Sequence, residues 1–298
     1  MLKIISIGDL VEPGTYDFLN GFRRVINLTD GRRVVTLALP GIDRGPLNII
    51  MRGFDPDIVE RVRVEPGAVF VDGERVAHGT GEVYDSALPA ALRNTDDFRS
   101  NLGAFGAFLL TLSPRESLTY LLDRSRIVSI PKGFQRDLAE HTLDCVRDMI
   151  LWDRRRGVSR LSGCGIGLTP SGDDFIVGFL LGLVALQRMG FRDWTAERGR
   201  ILEWTGLRDV MGMSFLSSAA RGHTFESMKG LVVALDLGDA EHVRTWTERL
   251  LQIGATSGAD TGVGFYITVR EGLAGRLKGT TWAPDARSSV NENRGLWS

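Results

Sequence analysis

Ser171-Gly172-Asp173-Asp174-Phe175-Ile176-Val177-Gly178-Phe179 and Ser257-Gly258-Ala259-Asp260-Thr261-Gly262-Val263-Gly264-Phe265 are two copies of one pattern. The copies stand 86 residues apart (171 to 257, 174 to 260, 178 to 264), and Ser, Gly, the second acidic position, the later Gly and the Phe all coincide. Glycine and threonine precede each copy, in Gly167-Leu168-Thr169-Pro170 and Gly254-Ala255-Thr256, and an apolar run follows. A small polar residue, a flexible glycine, an acid and then a hydrophobic body spell the start of a helix. Two such starts in one chain predict a pseudo-symmetric helix pair, with both N-termini facing one site across an approximate two-fold axis. Asp174, Gly178 and Gly182 share one helix face, and Asp260 and Gly264 repeat the relation. The spacing predicts glycine-to-glycine packing with the two aspartates at the mouth.

Outward from these helices the chain changes character. Arg24-Val25-Ile26-Asn27-Leu28 and Arg33-Val34-Val35-Thr36-Leu37-Ala38-Leu39 flank Asp30-Gly31, a hairpin signal. Short strands are also expected at 46–51, 62–64, 68–71 and 75–77, with Pro66-Gly67 and Asp72-Gly73 as turns. From about Tyr84 the period becomes helical, over 134–152, 175–189, 194–204, 210–220, 225–235, 241–253 and 258–276. The basic run 153–160 reads as an exposed connection. The expected fold is α+β: a β-rich N-terminal domain over 1–83, forming hairpins or a partly closed barrel, a helical domain over 84–279 with the duplicated motif, and a loosely held tail over 280–298.

Composition narrows the function. A hydrophobic fraction of 43%, a charged fraction of 24% and a net charge of −1 are those of an ordinary globular chain. They give no reason to expect nucleic acid or a membrane as partner. Two cysteines, Cys145 and Cys164, are too few for a disulfide framework, and no signal peptide is visible, so a cytoplasmic location is expected. His78, His141, His223 and His242 lack zinc-ligand spacing. Gly163-Cys164-Gly165-Ile166-Gly167 is not followed by Gly-Lys-Ser/Thr, which argues against a nucleoside triphosphatase.

The glycines and the helix start still offer backbone N–H groups for a phosphate or carbonyl oxygen around Gly165, Gly167 and Gly172, with Thr169 and Ser171 beside them. The plainer alternative is that Thr169 and Ser171 only cap the helix and the glycines only turn the chain. Asp173, Asp174 and Asp260 are the catalytic candidates. They can compensate the helix dipole, act as acid or base, or, at Asp174 and Asp260, hold Mg²⁺. Two adjacent carboxylates suit a cation or a substrate amide better than a bare anion. Thr256, Ser257 and Gly258 hold the matching positions in the second copy. Ser214 and Arg221 lie on one predicted helix, where Arg221 is suited to a carboxylate or phosphate.

The strings Gly165-Ile166-Gly167-Leu168-Thr169-Pro170-Ser171-Gly172-Asp173-Asp174, Ser214-Phe215-Leu216-Ser217-Ser218-Ala219-Ala220-Arg221-Gly222 and Gly254-Ala255-Thr256-Ser257-Gly258-Ala259-Asp260 resemble the family that includes the AllH subunit of bacterial oxamate carbamoyltransferase. The hairpin around Asn27 and the pair Gly45-Pro46 are similar too. The resemblance adds Asn27 to the substrate-binding candidates. One departure is Ala255, where AllH-like chains tend to carry His. The resemblance implies conversion of oxalurate and phosphate to oxamate and carbamoyl phosphate, by an assembly with other subunits, in purine (allantoin) catabolism. A non-catalytic ligand-binding or assembly subunit of such a complex is the other function class.

Overall fold

The structure is a computed structural model that describes residues 2–77, 82–165, 169–207 and 209–277. His78, Gly167 and the tail 280–298 lie outside the described residues. The N-terminal part is a nine-stranded sheet: β1 (Lys3–Gly8), β2 (Gly14–Phe22), β3 (Val25–Thr29), β4 (Val34–Ala38), β5 (Asn48–Arg52), β6 (Arg61–Glu65), β7 (Ala68–Val71), β8 (Glu74–Ala77) and β9 (Glu82–Tyr84). Their order is β8-β7-β6-β2-β3-β4-β5-β1-β9. All pairs are antiparallel except β4–β5 and β1–β9. Although β8 and β1 stand far apart in that order, they touch, so the sheet curls into a half-barrel.

Side-chain alternation gives the sheet two different faces. Ile26, Leu28, Val35, Leu37, Ile49 and Met51 turn into the curl, where they form a core with Val62, Val69 and Val76. Asn27, Thr36 and Asn48 stand on the other face, which meets the helices. The Asp-Gly turn forms as the sequence predicts. Asp30 accepts hydrogen bonds from the Arg32 and Arg33 amides, and Gly31 takes φ 84°.

The helices are α1 (Asp96–Leu112), α2 (Ser125–Ser129), α3 (Phe134–Arg147), α4 (Arg154–Leu161), α5 (Ser171–Arg188), α6 (Thr195–Thr205), α7 (Val210–Ala220), α8 (Glu226–Leu237), α9 (Ala240–Leu250) and α10 (Ser257–Leu273). The fold is therefore α+β. One expectation is corrected: residues 153–160 are not an exposed connection but contain most of α4. Arg154 is buried in an ion pair with Glu197, between the rings of Phe179 and Trp194. Gly157 lets the helix press on the backbone of Met149, where a Cβ would come within 2.4 Å of the amide nitrogen. The basic residues around Arg154 conceal these two packing residues in the sequence.

Helices α5 and α10 form the centre of the helical part. An added Cβ at Gly178 would lie 1.9 Å from the Thr261 carbonyl oxygen, and one at Gly264 would lie 2.2 Å from the Phe175 carbonyl oxygen. Those two contacts exchange under the 86-residue offset, because Phe175 corresponds to Thr261 as Gly178 corresponds to Gly264. Reciprocity of this kind is what a local two-fold axis requires. The loops that lead in follow the same plan. Gly172 presses on the Leu161 carbonyl and Gly258 on the Leu250 carbonyl, with Cβ distances of 2.0 and 1.9 Å. The Gly172 amide donates to Cys164, and the Gly258 amide to Ile253.

Candidate functional site

Both helix starts come together as expected. Neither α5 nor α10 has a side-chain N-cap hydrogen bond: Pro170 and Thr256 occupy the cap positions, which puts Ser171 and Ser257 in the first turn. The hydroxyls look across the axis instead. Thr169 Oγ1 and Ser257 Oγ are 2.9 Å apart. Ser257 and Thr169 interact with the Asp174 carboxylate, while Ser171 and Thr256 interact with that of Asp260. The Ser257–Asp174 and Ser171–Asp260 pairings are again exchanged by the two-fold relation.

Asp174 is 9% exposed and Asp260 fully buried, and in each the Oδ2 atom has no hydrogen-bond partner. Burial pushes the Asp174 carboxyl up to about 7; the Ser257 hydroxyl opposes the shift and the charge of Asp260 adds to it. Burial likewise pushes Asp260 up to about 6, against the Leu118 amide and the Ser171 and Thr256 hydroxyls. Because the Ser257 hydroxyl favours the ionised form of Asp174, Ser257→Ala should move the Asp174 titration to higher pH. Carboxyl ¹³C shifts followed against pH would check this, and an unchanged or lower midpoint would contradict it.

The two aspartates differ in what covers them. Oδ1 of Asp260 accepts the Leu118 amide at 2.7 Å, so the short turn over Leu118–Leu121 seals that side. Asp174 opens on a cavity of about 300 Å³ between the sheet and helices α5, α7, α8 and α10. Its walls are largely apolar, from Phe22, Val25, Val177, Met211, Phe215 and Met228. Thr169, Ser257 and Gly258 line it beside Asp174, and neither Lys nor Arg is among the described lining residues.

Across the cavity, the sheet presents a polar row that sequence reasoning caught only at Asn27. Asn27 pairs in register with Thr36, and Thr36 with Asn48. Thr36 donates to Asn27 Oδ1 at 2.8 Å, and Asn27 Nδ2 donates to Asn20. All three residues are buried and line the cavity. The signal was available at Thr36, a polar residue that aligns with Asn27 across the predicted hairpin.

Other expected residues serve elsewhere. Asp173 accepts from the Ser162 hydroxyl at 2.9 Å and the Gly163 amide at 3.0 Å, tying down the loop between α4 and α5; its counterpart Ala259 lacks that group. Several amides around the expected phosphate cradle donate within the protein, and Gly167 lies outside the described residues. The amides of Gly163, Cys164, Gly172, Asp173 and Asp174 all donate within the loop and first turn. Gly165, at φ 125°, packs over the Ser171 amide, which a Cβ would approach to 2.6 Å. The Cys164 thiol donates to the Arg160 carbonyl, and burial raises its pKa, so it is not a ready thiolate. Ser214 donates to the Val210 carbonyl; with Arg221 it lines a separate groove beside Arg32 and Arg33, on another face of α7. Among the described residues no group of three or more His, Cys, Asp and Glu is assembled to hold a metal ion. Mg²⁺ approaching from the cavity would meet the Asp174 carboxylate alone, because Asp260 does not line that space.

No helix among the described residues is long and apolar enough to cross a membrane. No curated protein and no solved structure matches the chain. The stretch that carries the end of α4, both helix starts, α7 and most of α10 does match a known family: residues 161–269 fit the family model of the oxamate carbamoyltransferase subunit AllH.

Proposed function

We propose that this chain is an AllH-like subunit of a carbamoyltransferase-type complex, and that its cavity receives a carbamoylated amide such as oxalurate. The observation that carries this reading is Asp174, a buried carboxyl that lines a cavity with neither Lys nor Arg among its described lining residues and that has one oxygen without a hydrogen-bond partner. Such a carboxyl is suited to a neutral N–H₂ or N–H group, which donates to it and does not add negative charge. In phosphorolysis, a phosphate oxygen bonds to the carbamoyl carbon, the carbon–nitrogen bond breaks, and the departing nitrogen takes up a proton. A carboxyl whose pKa is pushed up to about 7 holds that proton at neutral pH and gives it up readily.

The chain should be tested in the complex reconstituted with its partner subunits, by following carbamoyl phosphate formed from oxalurate and phosphate. Asp174→Asn should lower turnover by about 10²–10⁴-fold, the usual worth of a positioned acid or base. Wild-type turnover from that variant would assign the chain the role of a ligand-binding or assembly subunit. Failure of the complex to make carbamoyl phosphate with the wild-type chain would remove the carbamoyltransferase reading altogether.

A further inference from the structure

His223 also lines the cavity, and among the described lining residues it is the one able to carry a positive charge. Hydrogen bonds fasten its segment to residues 84–88, at and after the end of β9. The Leu88 amide donates to Gly222, the Thr224 amide to Ser86, and the Tyr84 hydroxyl to the Thr224 carbonyl. The ring is held as well. Ser86 Oγ donates to Asp9 Oδ1 at 2.5 Å, so its hydrogen is committed and its lone pairs face His223 Nδ1 at 2.9 Å. Asp9 Oδ2 lies 3.5 Å from the same nitrogen. These acceptors fix the neutral ring as the Nδ1–H tautomer. Nε2 makes no hydrogen bond to any described residue.

We propose that His223 recognises the carboxylate of the cavity's ligand through Nε2, taking up a proton from solvent as the carboxylate binds. The ligand class is then a carboxylate that also bears an amide or ureido group, with the carboxylate directed to His223 and not to Asp174. This rests on the functional reading above only for the choice of ligand. The charged groups that face the ring are Asp9 after β1, Asp85 after β9 and Arg221 at the end of α7. Burial lowers the pKa of the imidazole, which is therefore mostly neutral at pH 7 in the free protein. A bound carboxylate at Nε2 reverses that preference, because an adjacent negative charge favours the imidazolium.

The test compares oxalurate with oxaluramide, in which an amide replaces the carboxylate, by titration calorimetry on the assembled complex at pH 7.5. Repeating it in buffers of different ionisation enthalpy counts protons. Wild type should bind oxalurate with uptake of about one proton and prefer it to oxaluramide by at least about tenfold. His223→Gln should abolish the uptake and the preference. Asp9→Asn should weaken the preference without abolishing it. Proton counting on the wild type alone keeps the idea exposed should a variant fold poorly. Oxalurate binding without proton uptake, or an undiminished preference in His223→Gln, overturns the role of His223 and leaves the functional reading intact. If the wild-type complex binds neither compound, the functional reading fails, and the choice of ligand fails with it.

Discussion

A methyl group added at position 178 should strongly destabilise the helical half of this protein. In Gly178→Ala the new Cβ would stand 1.9 Å from the Thr261 carbonyl oxygen and 2.7 Å from the Phe265 amide nitrogen. Both are backbone atoms of α10, so no rotamer change relieves the clash; the helices must move apart. Because α5 is buried along nearly its whole length, that movement opens packing on every side. The expected cost is about 3 kcal/mol or more, at the upper end of what overpacking does. Gly264→Ala should behave alike, since its Cβ would meet the Phe175 carbonyl oxygen at 2.2 Å. Gly103 in α1 and Gly199 in α6 have nothing within 4 Å of a Cβ. There the same substitution should stabilise by up to about 1 kcal/mol, through helix propensity alone. Urea midpoints at matched slopes would read all four variants, and a Gly178→Ala protein as stable as wild type would refute close glycine packing.

Much of this architecture was legible because short-range pattern dictated it. The 86-residue offset and the four-residue glycine spacing place α5 and α10 against each other. Alternation and Asp30-Gly31 placed the hairpin of β3 and β4. Strands β1, β2 and β9 were less visible: β9 is three residues long, and β2 exposes Phe18 and Phe22, which blurs its alternation. The polar row was half-legible. Asn27 was a candidate through the family resemblance, whereas Asn48 joins only through parallel pairing of β4 with β5, a long-range fact. His223 was not legible as a site residue at all. Its orientation depends on Asp9 and Ser86, which lie in separate segments and meet it only after the sheet and α7 have packed together.

The aspartate pair should cost stability at the pH where it serves. Both carboxyls have folded-state pKa values raised above their ordinary 3.8, Asp174 to about 7 and Asp260 to about 6. The folded state therefore binds protons more tightly than the unfolded chain does. That contribution is fully present below about pH 4 and is lost as pH rises through 6 and 7. Unfolding free energy should accordingly fall between pH 4 and pH 8, by several kcal/mol for the pair. Asp174→Asn and Asp260→Asn each remove one buried charge. Asn at 260 can keep the Leu118 amide as donor to its carbonyl oxygen, and Asn at 174 faces hydroxyls that can accept from its amide. Each variant should then be more stable than wild type at pH 8, near parity at pH 4, and flatter in between. Asp174→Asn should combine this gain with the loss of turnover, the signature of a group retained for chemistry at the expense of the fold. Chemical denaturation at pH 4, 6 and 8 would decide the matter. If Asp174→Asn is destabilised at pH 8, the carboxylate belongs to the fold's own hydrogen bonding, and its unpartnered oxygen has no catalytic meaning.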